Sequence, residues 1–169
     1  MLSLGAAAFL ESGEMVGTFE TNFETLEGAS GHPETMAWWA KQKPEIWAAC
    51  RKDPANPKKA MESFESWITK TAGDSSAKPV CVAYPAGFDF TYVHWYFMKF
   101  LGRNPFSFAC IDMKTYAMSV LNKRFRDTTK NAMPKAWFEA LPPHTHRAID
   151  DALEQGYLFM KMRAHRSNL

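Results

Sequence analysis

The fold is decided by the stretch Val80-Cys81-Val82-Ala83-Tyr84-Pro85-Ala86-Gly87-Phe88-Asp89. Its first half is a short run of apolar residues, which predicts a strand over 80–84 that is buried on both faces. Pro85 and Gly87 then turn the chain, and Asp89 opens a helix with an apolar face. A buried strand followed at once by a helix is the unit from which α/β proteins are built.

The segments on either side extend this pattern. Alternation of apolar and small residues predicts strands over 2–10 and 15–23, joined as an antiparallel hairpin. Another short apolar strand is predicted over 107–111, and a loop over 73–78. Helices are predicted from Pro33, around Ile46 and Trp47, after an N-cap at Asn56, from Asp112 to Leu121, and from Arg147 to Met162. The sequence therefore predicts an α/β protein whose mixed sheet starts antiparallel, ends parallel and is flanked by helices.

Length and composition favour a single domain over residues 1–169. The 169 residues are 46% hydrophobic and 14% aromatic, which is enough to build a sizeable core. Lys and Arg number 20 against 18 Asp and Glu, and the net charge of +2 argues against nucleic-acid binding through bulk charge alone. No apolar run reaches the roughly 18 residues of a membrane-spanning helix, so we expect no membrane partner.

The cysteines indicate a reducing environment. Cys50, Cys81 and Cys110 contain no C-x-x-C pair, which argues against a zinc knuckle. Cys81 and Cys110 lie in apolar runs and are expected to be buried thiols, so we expect a cytoplasmic protein. The apolar start resembles a signal peptide only superficially, because the first basic residue is Lys41 and signal peptides begin with a basic segment.

Two stretches carry residue types suited to catalysis. In His144-Thr145-His146-Arg147-Ala148-Ile149-Asp150-Asp151-Ala152, His146 and Asp151 are five residues apart. On one continuous helix they would be about 140° apart, but a helix that begins just after His146 lets both side chains converge on one cleft. A histidine there suits a general base, and an aspartate suits a divalent metal ion. Asp89 lies at the end of a predicted strand, where α/β sheets bind ligands, although a helix cap is the alternative role.

These motifs resemble a known family. Phe88-Asp89 and the later run His146-Arg147-Ala148-Ile149-Asp150-Asp151-Ala152 resemble the second and third motifs of the DEDD-type 3′–5′ exonucleases with a catalytic histidine. That group includes polymerase proofreading subunits and oligoribonuclease. The stretch 33–39 and the order of elements are similar to an exoribonuclease-like branch of the group. The resemblance covers about residues 2–163 and implies a ribonuclease H-like fold.

The resemblance also implies the chemistry and the residues that perform it. Asp89 and Asp151 match the aspartates that hold two divalent ions, Mg²⁺ or Mn²⁺, and His146 matches the general base. The implied activity is metal-dependent removal of nucleotides from the 3′ end of single-stranded RNA or DNA. We interpret Asp112 as a helix cap, Asp150 as a solvated first-turn acid, and His144 as an exposed side chain.

One motif of the family has no counterpart. The family carries D-x-E on a strand before the hairpin partner, and here the chain begins at what corresponds to the second strand. We therefore expect the first strand to be missing, Met1 to be an internal methionine of a longer protein, and activity to be impaired. The alternative hypothesis is a catalytically inactive exonuclease-like module that binds nucleic acid or a protein partner. A fragment that does not fold stably alone is a third outcome.

Four further residues are candidates for contact with the nucleic-acid strand. Phe88 offers an aromatic ring for base stacking. Trp38 and Trp39 are consecutive, so only one can face the core and the other is a candidate for stacking, for which we choose Trp39, although a core or staple role is the favoured alternative. Lys123 and Arg124 offer cationic groups for phosphates, although a solvated loop explains them as well. The apolar helices around Trp47 and Trp67 also allow a homodimer.

Overall fold

The computed structural model describes residues 1–73 and 78–167. The strands are β1 (Ser3–Phe9), β2 (Met15–Asn22), β3 (Cys81–Ala83) and β4 (Cys110–Asp112). The helices are α1 (Pro33–Trp39), α2 (Pro44–Arg51), α3 (Pro57–Ala72), α4 (Ala86–Leu101), α5 (Met113–Leu121) and α6 (Ala148–Ser167). Short 3₁₀ turns at 125–127, 130–132 and 135–138 lie between α5 and α6. The predicted loop over 73–78 lies mostly outside the described residues.

The α/β class is confirmed, with an antiparallel part and a parallel part. β1 and β2 form an antiparallel hairpin in which Ser3 pairs with Asn22, and a bulge lies between Ala8 and Phe9. β3 and β4 pair in parallel, from Cys81 opposite Cys110 to Ala83 opposite Asp112. Within the described residues the two pairs are separate sheets, and no strand joins them.

Small residues on β1 let a helix lie directly on the strand. A Cβ added at Gly5 would run into the backbone of Ala148 and Ile149 in the first turn of α6. Further along α6, a Cβ on Gly156 would meet the ring of Phe9. The alternation of apolar and small residues in this strand therefore serves two faces, one on the core and one on α6. This close approach fixes where the first turn of α6 lies.

Two hydrophobic clusters form the core. An aromatic-rich cluster joins the hairpin to α3 and α4, with Leu4, Phe23, Ala60, Met61, Phe64, Ile68, Val93, Tyr96 and Phe97 buried. A methionine-rich cluster joins α5, the 3₁₀ turns and α6, with Met113, Ala117, Val120, Met133, Trp137, Leu158, Phe159 and Met162 buried. Since α4 belongs to the first cluster and α6 to the second, the two helices that carry the predicted aspartates are held by different parts of the core.

The second sheet differs from the prediction in its bounds and its burial. Cys81 and Val82 are half-buried and Val80 is 63% exposed, so β3 is not buried on both faces. The second sheet has only two strands of three residues each, and so small a sheet is not covered by other elements on both faces. β4 begins at Cys110 rather than at Ser107, because Ser107 has a φ of 58°, which interrupts extended backbone.

None of the described helices combines the length and apolar character required to cross a membrane.

Candidate active site

The chain enters α6 through a loop that carries His146. The helix begins at Ala148, which confirms that His146 precedes it and that Asp151 lies in its first turns. His146 has a φ of 66°, a left-handed conformation that non-glycine residues rarely adopt. This backbone turn directs the chain back across the helix start, so the ring of His146 lies near Asp151 instead of one helical turn away. Ligand atoms of His144, His146 and Asp151 lie within 4.8 Å of one another.

A second histidine and a buried glutamate complete this side of the site. Nδ1 of His144 lies 2.9 Å from Oε2 of Glu154 and 3.0 Å from Oδ1 of Asp151. Glu154 is only 6% exposed, and its carboxylate also accepts from Nζ of Lys130 at 2.8 Å. The ring of His144 packs edge-on against that of His146, with centroids 4.4 Å apart. His144 is exposed as predicted, but it bridges two carboxylates.

Oδ1 of Asp151 has no hydrogen-bond partner. It is buried, and although Nδ1 of His144 is 3.0 Å away, the hydrogen-bond geometry of that nitrogen is directed to Glu154. Burial raises the pKa of Asp151, while the charges of His144 and His146 and the backbone N–H of His146 oppose this rise. An unpartnered, buried carboxylate oxygen beside imidazole nitrogens is a donor set that a hard divalent cation satisfies.

Asp89 approaches from the other side of the site on α4. The helix begins at Ala86, so Asp89 lies within the first turn and does not cap the helix. Burial, and then the charge of Asp151, raise the pKa of Asp89 to about 6. The two predicted aspartates, on different helices, are therefore near enough for the charge of one to act on the other, although Asp89 is not in the group of ligand atoms formed by His144, His146 and Asp151. Two carboxylates that repel each other in a partly dry cleft are stabilised by a shared cation.

Asp112 holds the strand ends and helix starts together around Asp89. Its Oδ1 accepts from the backbone N–H and the hydroxyl of Thr115, which confirms its role as the cap of α5. Its Oδ2 accepts a hydrogen bond from the backbone N–H of Ala86 at 2.9 Å, so the same carboxylate also satisfies a free N–H group in the first turn of α4. These hydrogen bonds lower the pKa of Asp112 against the effect of its burial. One carboxylate therefore fixes the helix that carries Asp89.

Comparison with known proteins identifies the family of the chain. Residues 1–162 match the model of the 3′–5′ exoribonuclease Rv2179c-like domain. The chain belongs to this family. A 3′–5′ DNA exonuclease from Escherichia coli, Cap18, is 32% identical over 110 residues, which are 63% of this chain and 56% of that protein. The aligned region therefore spans little more than half of the length of Cap18. Membership of this exonuclease family is consistent with the ribonuclease H-like arrangement of helices and strands.

The aromatic residues around the site are divided between two elements. Phe88, next to Asp89 in the chain, is 62% exposed, and its ring forms a T-shaped pair with that of Tyr92 on the same helix. Trp38, rather than Trp39, contacts the site: its ring packs edge-on against His146 with centroids 5.0 Å apart. Trp39 packs between Trp38 and Trp47 and holds α1 on α2.

The predicted basic pair has local partners. Nζ of Lys123 donates to the carbonyl of Ala132, and Arg124 pairs with Asp127 at 2.7 Å. A different pair of lysines, Lys130 and Lys135, lines an open groove of about 620 Å³ that reaches the site. The remaining residues lining the groove are Asn131, Met133, Phe138, His144 and Glu154.

Sequence reasoning did not assign Glu154 or Lys130 to the candidate site, took His144 only as an exposed side chain, and chose Trp39 over its neighbour Trp38. Glu154 had a usable signal, because it follows Asp151 by three residues and shares its helix face. Asp150 is half-buried rather than solvated, because Oγ1 of Thr145 donates to its Oδ2 at 2.5 Å. That hydrogen bond connects the loop to α6 and engages an oxygen of Asp150, so Asp150 is less suited than Asp151 to bind a metal ion.

Proposed function

We propose that this protein is a metal-dependent 3′–5′ exonuclease that acts on the single-stranded ends of RNA or DNA. The observation that supports it best is the cluster of His144, His146 and Asp151, whose ligand atoms lie within 4.8 Å of one another and in which Oδ1 of Asp151 is buried without a hydrogen bond. Asp89 on α4 is close enough for the charge of Asp151 to raise its pKa. Family membership and the similarity to an exonuclease agree with this chemistry.

Asp89 and Asp151 would hold the divalent ions, Mg²⁺ or Mn²⁺. Bound there, such ions would lower the pKa of an attacking water and would stabilise the charge that develops on the leaving oxygen. His146 accepts the proton of that water at a ring nitrogen, and its ring is oriented by the edges of His144 and Trp38. His144 in turn is oriented by Glu154, which Lys130 keeps charge-balanced.

In our proposal the nucleic-acid strand crosses the candidate active site, with its phosphates along the groove on one side and a base at Phe88 on the other. The groove of about 620 Å³ is within the size range of ligand pockets, and Lys135 supplies positive charge for phosphates along it, whereas Nζ of Lys130 is paired with Glu154. Phe88 offers an open ring for a base on the other side. Lys123 and Arg124 supply at most long-range charge, because their side chains are engaged within their own loop.

The same charges predict slow turnover by this chain. Asp89 and Asp151 supply two negative charges against the four positive charges of two divalent ions, which leaves +2 uncompensated. Glu154 does not offset this, because it is paired with Lys130 and His144. We therefore propose weak binding of the second ion and impaired activity in the chain as it stands.

The test is digestion of 5′-labelled single-stranded RNA and DNA with Mn²⁺. Wild type should shorten the strand from its 3′ end in single-nucleotide steps, and Asp89→Ala should abolish this. Asp150→Asn is the matched control and should keep the activity. If wild type binds the oligonucleotide but leaves it intact at high enzyme concentration, the non-catalytic module is the correct alternative.

A further inference from the structure

Two cysteines that lie far apart in the sequence lie directly opposite each other in the fold. Cys81 of β3 pairs with Cys110 of β4 in the parallel sheet. Residues that pair in this way place their side chains on the same face, with the strands about 4.8 Å apart. That spacing is within the roughly 4.4–6.8 Å between Cα atoms that a disulfide bond requires.

The thiols are neighbours in the sheet and are partly exposed. The thiol of Cys110 donates a hydrogen bond to the carbonyl of Ile111, with the sulfur 3.6 Å from that oxygen. The interaction between the two cysteines lowers the pKa of Cys110 and raises that of Cys81. The charge of Asp89 also acts on both thiols, so the pair lies near the candidate active site. Both residues are only half-buried, whereas Cys50 is 4% exposed. The thiol with the lower pKa, here Cys110, is the more reactive member of such a pair.

We propose that Cys81 and Cys110 form a reversible disulfide when the protein meets a peroxide oxidant. The thiolate of Cys110 attacks hydrogen peroxide and becomes a sulfenic acid, with release of water once the leaving hydroxide is protonated. The thiol of Cys81 then displaces a second water from that sulfur, and the disulfide forms. In total, two thiols and one peroxide give one disulfide and two waters, and a dithiol reductant reverses the step.

The position of the pair explains what the bond does to the fold. The β3–β4 ladder consists of three residue pairs, with the cysteines at one end and Asp112 at the other. Asp112 accepts hydrogen bonds from the first turns of α4 and α5, and Asp89 lies in the first turn of α4. A bond between the cysteines therefore restricts the motion of the sheet that positions Asp89. The site of modification does not depend on the proposed nuclease activity.

The experiment uses the whole wild-type chain and hydrogen peroxide. After brief oxidation, unreacted thiols are alkylated, and the digest is analysed by mass spectrometry without and with reduction. We expect a linked peptide pair containing Cys81 and Cys110, an alkylated Cys50, and an unfolding temperature raised by roughly 5–10 °C. Reduction should separate the linked peptides and should bring the unfolding temperature back to its value before oxidation.

Two variants keep the proposal falsifiable. Cys110→Ser should lose the link and leave Cys81 alkylated, and Cys50→Ser should form the link as wild type does. The proposal is overturned if Cys81 and Cys110 both remain alkylated in folded wild type after oxidation. It is also overturned if each is oxidised to a sulfinic acid without a linked product, because contact between the two thiols would then be absent in solution.

Discussion

The two sides of the candidate site hold their carboxylates in different ways. On the α6 side, His144 bridges Asp151 and Glu154, and Lys130 balances Glu154, so positive charge lies next to negative charge. On the α4 side, Asp89 experiences burial and the repulsion of Asp151, and its pKa rises to about 6. On the α6 side the carboxylate of Glu154 is paired with Lys130 and His144. On the α4 side both burial and the charge of Asp151 disfavour the ionised form of Asp89.

This difference distinguishes carboxylates that are paired within the protein from carboxylates whose charge is left for a ligand to compensate. Glu154 is hydrogen-bonded to Lys130 and His144, whereas Oδ1 of Asp151 is buried without a hydrogen bond. Burial and the charge of Asp151 both disfavour the ionised form of Asp89. Groups that cost stability and persist in a cleft are typical of functional sites. The predictions below test whether the two sides respond as this contrast requires.

The largest expected effect comes from Asp151→Asn. We expect nuclease turnover to fall by roughly 10²–10³-fold, because a group that supports charge in the transition state is lost. Stability should not fall, since the variant removes a buried charge with an unpartnered oxygen. Asp150→Asn, one residue away, is the control, and its turnover should stay within a few-fold of wild type. A drop in the unfolding temperature of Asp151→Asn with activity retained would show a structural role.

Protonation of Asp89 should make wild type more stable in mild acid. Its pKa is higher in the folded protein than in the unfolded chain, so the stabilisation is complete below the unfolded pKa and is lost as the pH rises through about 6. Without divalent ions, we expect the free energy of unfolding of wild type to fall by about 2–3 kcal/mol relative to Asp89→Asn between about pH 4 and about pH 7. Urea unfolding at several pH values measures this. Parallel curves for the two proteins would mean that Asp89 is solvated.

On the α6 side, Lys130→Met should be destabilising. It leaves the nearly buried carboxylate of Glu154 without its cation, and we expect the free energy of unfolding to fall by about 2 kcal/mol. Adding Glu154→Gln should restore most of the loss, because the neutral amide needs no counter-charge. Lys135→Met, in the same groove, is the control and should change stability by less than about 0.5 kcal/mol. A double variant no more stable than Lys130→Met alone would refute the pairing.

The smallest effect is expected for Trp38→Ala. The ring of Trp38 supports the edge of His146, so its loss should lower turnover by about five- to tenfold, near 1 kcal/mol, through a less well-oriented histidine. Trp38→Phe should recover most of the activity. An unchanged rate in Trp38→Ala would show that His144 alone orients the ring.

Much of the fold followed from local patterns. The hairpin, the Asn56 cap and the start of α6 agree with the prediction because each depends on neighbouring residues. The small residues of β1 were harder to interpret, since the helix that lies on Gly5 comes from more than 140 residues later in the chain. The extent of the second sheet was missed for a related reason, because Ser107 gives no sign in the sequence of its left-handed φ.

The site was predictable where its spacing was local. His146 and Asp151 were placed by the start of one helix, and Asp89 by the end of one strand. Lys130 and Trp38 come from other elements, and only tertiary packing brings them to the histidines. For the same reason, three isolated cysteines in the sequence gave no indication that Cys81 and Cys110 are opposite each other.

The most direct test of the account is a Mn²⁺ titration followed by electron paramagnetic resonance. Wild type, Asp89→Asn, Asp151→Asn and the control Asp150→Asn are compared under identical conditions. We predict that both site variants lose affinity for Mn²⁺ by about tenfold or more, and that Asp150→Asn binds as wild type does. If Asp89→Asn binds Mn²⁺ as tightly as wild type, then α4 and α6 do not share a metal ion, and the central claim is wrong.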